Sequence, residues 1–129
     1  MKNSDLQLWY EAPRELANDE QTWIEKMLDI DLPNKDILIE QLKHSKVIGQ
    51  CMCGCKTINI QVDHRIEKYP YGERIPVEVM SYESGQAPIM FLLHVVDGYI
   101  NELEVLRADS TPITGEIHLL NVEVTNNLR

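Results

Sequence analysis

The hydrophobic pattern of this chain changes its period near residue 47, and this change limits the possible folds more than any other feature. Before that point apolar residues recur at helical spacing, as in the stretch 23–28. From residue 57 to 62 they alternate with polar residues, which is typical of a half-buried strand. Helices that precede strands in this way favour an α+β fold, with the helices together on one face of a mainly antiparallel sheet.

We predict a single domain, residues 1–129, because a chain of this length with 43% hydrophobic content can bury one core but is short for two. Residues 1–17 are expected to be extended or loosely held. Residues 18–44 are expected to form an αα-hairpin, with Asn34 as the cap of its second helix. The sheet, of about five or six strands, is expected over residues 46–124.

The run Ile89–Val96 is apolar on both faces, which predicts the central and most buried strand of the sheet. Leu92 and Leu93 should then both be largely buried. Asp97 and Gly98 follow directly and are a strong signal for a two-residue hairpin turn, with positive φ at Gly98.

The chain carries 21 acidic and 12 basic residues, for a formal net charge of -9. This charge repels nucleic acids and anionic membranes, so we expect neither as a partner, whereas it attracts basic proteins. The N-terminus has no apolar signal-peptide core, and the longest apolar run, residues 87–96, is too short to span a membrane. An odd number of cysteines argues for reduced thiols. Together these features predict a cytoplasmic protein.

All three cysteines fall within five residues, at Cys51, Cys53 and Cys55. In an extended strand these positions share one face, so their sulfurs could converge on a metal ion or take part in redox chemistry. The favoured interpretation is that they are small hydrophobic side chains packed under the helices, because Gly54 should break the strand and turn Cys55 away. No cofactor is expected on this interpretation, and zinc is the alternative.

A zinc site would need a fourth ligand in addition to the three thiolates, because the spacing lacks a second Cys-x-x-Cys pair. The candidates among the histidines are His64, which follows the strand after the cysteines, and His94 in the run Ile89–Val96. A histidine among apolar neighbours is more often a hydrogen-bonded core residue than a ligand.

Two further groups of residues are candidates for function. Carboxylates that could form an acid–base pair or an acidic cluster are Glu78, Glu102 and Glu104, although a solvated sheet face gives the same pattern. Aromatic side chains that could form a recognition patch, or alternatively cover the core, are Trp9, Tyr10, Tyr69 and Tyr71.

Three segments carry distinctive motifs in a fixed order. They are a Cys-x-Cys-Gly-Cys motif in Gln50–Ile58, a Pro-Val-Glu motif in Ile75–Val79, and a His-Val-x-Asp-Gly motif followed by Glu-Leu-Glu in Leu93–Val105. In this respect the chain, from about Asp29 to Asp109, resembles a widespread family of small, uncharacterised bacterial proteins. The resemblance implies an intact fold, a bacterial origin and a cytoplasmic location, and it carries over no activity.

The sequence contains no GxSxG motif, no phosphate-binding glycine loop, no His-Glu-x-x-His and no dinucleotide-binding fingerprint. The favoured hypothesis is therefore a non-enzymatic cytoplasmic domain that binds another protein, for example an inhibitor or antidote of a basic protein. The alternative hypothesis is a metal-binding or thiol module built on the three cysteines. A small enzyme that uses the three glutamates is a third.

Overall fold

A computed structural model describes residues 6–128, and within them the chain forms two helices and seven strands. The helices are α1 (Asn18–Met27) and α2 (Lys35–Lys43). The strands are β1 (Gln7–Arg14), β2 (Ser45–Cys51), β3 (Ile58–Val62), β4 (Val77–Ser81), β5 (Ile89–Val96), β6 (Tyr99–Arg107) and β7 (Val122–Asn126). The predicted α+β class is confirmed, although sheet predominates over helix.

The strands form one antiparallel sheet in the order β1-β2-β3-β6-β5-β4-β7. The expected count of five or six strands is therefore too low. The additional strand is β1, which forms one edge of the sheet and pairs with β2 through Gln7 opposite Cys51 and Trp9 opposite Gly49. It lies within the segment 1–17 that was expected to be extended or loosely held, of which residues 1–5 lie outside the described residues.

The central strand is β6 and not β5, which corrects the prediction for Ile89–Val96. After β3 the chain crosses to the far side of the sheet before it forms β4, and β5 and β6 then fill the space back to β3. Strand β5 is therefore one position from the centre, with neighbours on both sides. The sequence pattern shows that a strand is interior, but the order of strands depends on this crossover.

The helices pack on one face of the sheet, which we call the covered face, and leave the other as the open face. The Trp23 ring of α1 meets the Phe91 ring edge-on, with 5.5 Å between centroids. Leu93 on the same face is fully buried, as predicted, whereas Leu92 points to the open face and is only partly buried. Buried side chains of the covered face include Ile58, Ile60, Val77, Val79, Ile89, Phe91, Leu93, Leu103 and Val105.

The predicted αα-hairpin is not confirmed, because α1 contacts β4 while α2 contacts β6. A cleft lined by residues of both helices lies between them. Asn34 does stand at the N-cap position of α2, but its backbone is left-handed, with φ of 55°, and its side chain makes no capping hydrogen bond. Within residues 6–128, neither helix is long and apolar enough to cross a membrane.

The predicted two-residue turn between β5 and β6 is confirmed. Asp97 and Gly98 have φ of 53° and 86°, as a type I′ turn requires. The fully buried Gln41 side chain of α2 secures this hairpin, because it donates to the Gly98 carbonyl at 2.8 Å and accepts from the Ile100 N–H at 2.9 Å. Buried polar groups of this kind are stable only when they are paired.

Candidate metal centre at the cysteine loop

The three cysteines lie at the end of β2 and in the turn that leads to β3, and we call residues 51–56 the cysteine loop. The Cys51 N–H donates to the Thr57 carbonyl at 3.1 Å, and the Lys56 N–H donates to the Val105 carbonyl at 2.9 Å. Gly54 has φ of 102°, a conformation that other residues rarely adopt. Its carbonyl accepts from the Ile113 N–H at 2.9 Å. The loop is therefore held by backbone hydrogen bonds at both ends and at its tip.

The three sulfur atoms converge, with all Sγ atoms within 4.8 Å of one another. Those of Cys53 and Cys55 are 3.1 Å apart. Gly54 breaks the strand as predicted, but the turn brings Cys55 back to its neighbours and does not point it away, so that part of the prediction is wrong. Cys53 is exposed and the other two are partly exposed, so the thiols are not packed under the helices as expected.

Cys51 and Cys53 differ in acidity because of burial and of the hydrogen bonds between the thiols. Burial, reinforced by hydrogen bonding with Cys53, raises the pKa of Cys51 to about 12. Hydrogen bonding from Cys51 lowers the pKa of Cys53 below the ordinary value. Negative charge therefore forms more readily on the exposed Cys53 sulfur than on Cys51, and a cation from solvent would meet a thiolate and two neighbouring sulfur donors there.

The cysteine loop opens onto a cleft of about 380 Å³, which we call the thiol cleft. Its wall on the open face of the sheet carries two of the predicted carboxylates, Glu102 and Glu104 of β6. The cysteines and the glutamates are about 50 residues apart in the chain, and they meet because β2, β3 and β6 are consecutive in the sheet. Neutral polar residues that also line the cleft are Gln7, Thr57, Ser110 and Thr111.

A chain of polar contacts runs along the open face behind these carboxylates. The Arg74 Nε–H donates to Nδ1 of His94 at 3.0 Å, and Nε2 of His94 lies 2.8 Å from a carboxylate oxygen of Glu104. Because Nδ1 accepts, the proton of the neutral imidazole is on Nε2 and points to Glu104. This hydrogen bond lowers the pKa of Glu104, whereas burial raises the pKa of Glu102. The pKa values of these two carboxyl groups on one strand are thus shifted in opposite directions.

Neither predicted histidine ligand lies with the sulfurs. Within residues 6–128, the metal-ligand atoms that cluster at the cysteine loop come from cysteines alone. Both ring nitrogens of His94 are engaged by Arg74 and Glu104. The His64 ring stacks on Tyr99, with 4.1 Å between centroids, and lines a different cavity. Of the residues named as possible zinc ligands, the structure therefore brings together only the three cysteines.

The predicted carboxylate cluster is split by the sheet. Glu78 on β4 is separated from Glu104 by Leu92 of β5, and its carboxylate accepts from the Asn127 side chain at 3.2 Å. It does not line the thiol cleft. Only Glu102 and Glu104 therefore belong to the candidate site.

The four aromatic residues do not form one patch. Trp9 is 60% exposed on edge strand β1, and the hydroxyl of its neighbour Tyr10 donates to Gln50. Tyr69 is buried and donates to the Pro33 carbonyl at 2.7 Å, while Tyr71 donates to the Asn34 side chain at 3.0 Å. The last two tyrosines connect a loop to the segment just before α2, and Trp9 is more exposed than Tyr71.

Sequence reasoning missed Arg74 and the partnership of His94 with Glu104. Arg74 lies in the irregular stretch before β4, where no periodicity shows which way a side chain points. The partnership of His94 with Glu104 did have a signal in the sequence. Ile100 and Leu103 are both apolar but three residues apart, whereas residues on one face of a regular strand are an even number apart. Both are buried, since the strand bulges between their pairings with β5. The bulge places Glu102 opposite His94.

A comparison of the chain with family models finds no match, and comparisons with curated proteins and with solved structures find none either. The function proposed below therefore depends on the geometry of the site itself.

Proposed function

We propose that this protein is a thiolate metal-binding domain whose cysteine loop holds one Zn²⁺ ion. The observation that carries the proposal is the convergence of the only three cysteines of the chain, with their sulfurs within 4.8 Å of one another. Sulfur-rich sites of this kind favour zinc and other thiophilic ions over Mg²⁺ or Ca²⁺, which prefer oxygen ligands.

The sulfur positions fit a tetrahedral zinc site. With Zn–S bonds of about 2.3 Å, two sulfurs of a tetrahedron lie about 3.8 Å apart. This value falls between the 3.1 Å separation of Cys53 and Cys55 and the 4.8 Å limit of the group. Shifts of less than about an ångström would therefore complete the three-sulfur face, and the loop's backbone hydrogen bonds need not break.

The electrostatics also favour a cation. The lowered pKa of Cys53 favours a thiolate as the first ligand, and metal binding would release the protons of the thiols that are still protonated. Glu102 and Glu104 add negative charge to the wall of the same cleft. Arg107, which also lines the cleft, is paired with Glu83 at 3.0 Å and with the Ala87 carbonyl at 2.8 Å.

The proposal is tested by elemental analysis of protein purified without chelator, and by titration of metal-free protein with Zn²⁺ against a chromophoric chelator. We expect one equivalent of zinc, and a loss of binding in Cys53→Ser and Cys55→Ser. Met52→Ser is the matched control, because Met52 is an exposed residue of the same loop that offers no thiolate. Zinc should also raise the unfolding temperature of the native protein. Less than about a tenth of an equivalent of any transition metal would contradict the proposal.

Protein binding, the function favoured by the sequence, is a second candidate. It is supported by exposed apolar side chains in the cysteine loop, at Met52, and on the neighbouring strand β1, at Leu8 and Trp9. The two candidates can be tested separately. Trp9→Ser should leave the zinc stoichiometry unchanged, because the Trp9 side chain does not line the thiol cleft. It should weaken binding to any partner that docks on this edge.

A further inference from the structure

We infer that the carboxylate of Glu102 is the fourth ligand of the zinc site, so that the complete centre is three thiolates and one carboxylate oxygen. The inference rests on the proposed function and assigns the position that the three cysteines leave open. Zinc accepts carboxylate oxygens at about 2.0–2.2 Å together with sulfur and nitrogen ligands.

All three cysteines line the thiol cleft, so the fourth ligand should come from a residue that lines the same cleft. Most of the neutral polar side chains there already have partners. The Gln7 side-chain amide donates to Asn59 at 2.7 Å, the Thr57 hydroxyl accepts from the Val105 N–H at 3.0 Å, and the Thr111 hydroxyl donates to Asp109 at 2.7 Å. Neutral hydroxyls and amides are also weaker zinc ligands than carboxylates. The choice is therefore between Glu102 and Glu104.

The Glu104 side chain is held on the open face by its hydrogen bond to His94, and the His94 ring is in turn oriented by Arg74. Turning Glu104 towards the sulfurs would break this contact and leave the buried Nε2–H of His94 without a partner. Glu102 is not held by a hydrogen bond of this kind. Within the described part of the chain, no group donates a hydrogen bond to its carboxylate, although the side chain is partly buried.

A partly buried carboxylate without a hydrogen-bond donor is unusual, and the nearby charges of His94 and Arg74 offset its desolvation only in part. A metal ion in the thiol cleft would supply a direct positive partner. The same cleft therefore contains three thiols, which leave one position of a tetrahedral zinc site open, and one carboxylate that could occupy this position. Because β6 is the central strand, Glu102 is also attached to a rigid part of the fold.

The test compares Zn²⁺ affinity and Co²⁺ spectra of the full chain and of Glu102→Gln. Cobalt in a tetrahedral site shows sulfur-to-metal charge transfer from the thiolates, and d–d bands that respond to the fourth ligand. We expect Glu102→Gln to lower zinc affinity by at least about tenfold and to change the d–d bands, while the charge-transfer band is retained. The matched control is Glu78→Gln, on the same face but outside the cleft, and it should stay within about twofold of the parent affinity. Glu104→Gln removes a charge from the wall of the same cleft but no ligand, so it should lower the affinity less than Glu102→Gln and leave the d–d bands unchanged.

The outcomes separate this inference from the proposed function. If the cysteine variants lose zinc but Glu102→Gln keeps the parent affinity and cobalt spectrum, the inference is overturned and the metal site stands. If Glu104→Gln shows the loss expected for Glu102→Gln, the assignment to Glu102 is also overturned. If the parent protein binds neither Zn²⁺ nor Co²⁺, both proposals fall. Circular dichroism of each metal-free variant shows that the fold is intact, so a loss of affinity reports on the ligand.

Discussion

The two faces of the sheet differ in character although the same strands form both: the covered face carries buried apolar side chains, and the open face carries the polar residues of the candidate site. On the covered face, Phe91 and Leu93 of β5 are fully buried beneath the helices. On the open face, the alternating residues Leu92 and His94 are neighbours of Glu104 and Glu102 on β6. Because successive side chains of a strand point in opposite directions, a reactive group can be placed one residue from the core without entering it. The comparison teaches that stability and chemistry are separable along a single strand.

The largest expected effect tests this separation directly on two adjacent leucines. Leu93→Ala should destabilise the protein by about 3 kcal/mol, because it leaves a cavity in the core of the covered face. Leu92→Ala should cost about 1 kcal/mol, since this side chain is only partly buried on the open face. Urea denaturation of both variants, without metal, measures the difference. Equal losses would mean that the open face is covered by a partner or by a second copy of the chain.

The next effect concerns the thiols at the edge of the open face. The lowered pKa and the exposure of Cys53 predict that iodoacetamide alkylates it at least about tenfold faster than Cys51 in metal-free protein near neutral pH. Cys51 should react slowly because its pKa is raised to about 12. Fragment-ion mass spectrometry at early times assigns the modified residue. A faster reaction at Cys51 would contradict the hydrogen-bond order within the cysteine loop, and bound zinc should protect both sites.

The smallest effect is a pH dependence with opposite signs at two positions of one strand. The pKa of Glu104 is lowered in the folded state, so its ionised form adds stability above the usual carboxyl pKa, and this stability is lost as pH falls through the lowered value. The pKa of Glu102 is raised in the folded state, so its ionised form destabilises the protein. This destabilisation is absent below the usual carboxyl pKa and reaches its full size once pH has risen above the raised pKa.

At pH 7, without metal, Glu104→Gln should therefore destabilise the protein and Glu102→Gln should stabilise it, each by about 1 kcal/mol or less because both groups are partly exposed. Both differences should shrink as pH falls, first that of Glu102 and then that of Glu104, which disappears only below the lowered pKa of its carboxyl group. Urea denaturation at a series of pH values from 7 downwards provides the measurement. Shifts of the same sign in both variants would show that the His94 contact does not distinguish the two carboxylates.

Local features of this fold were predictable from the sequence because they depend on residues that are close together in the chain. The Asp97–Gly98 turn requires two residues that tolerate positive φ, and a dipeptide suffices to signal it. The helical stretch around Trp23 follows from its hydrophobic period, and the interior strand Ile89–Val96 follows from its continuous apolar run. The three cysteines were evident as a unit for the same reason, since only a short loop separates them.

Other features required contacts between distant parts of the chain. Sheet order, the recruitment of β1 as an edge strand and the choice of β6 as the centre depend on backbone pairings that no single segment encodes. The turn at Gly54 brings Cys55 back to Cys53, although the same glycine was expected to separate them, because the carbonyl of Gly54 is held by the Ile113 N–H from a segment beyond β6.

The sequence by itself determined the residue types of the site and the close spacing that places three thiols in one short loop. Only the tertiary structure decided that this loop shares a cleft with Glu102 and Glu104, and that His94 serves Glu104 and not a metal. The physical reason is that the strand register, including the bulge opposite β5, sets which side chains share a face, and the register is chosen by the packing of the whole covered face.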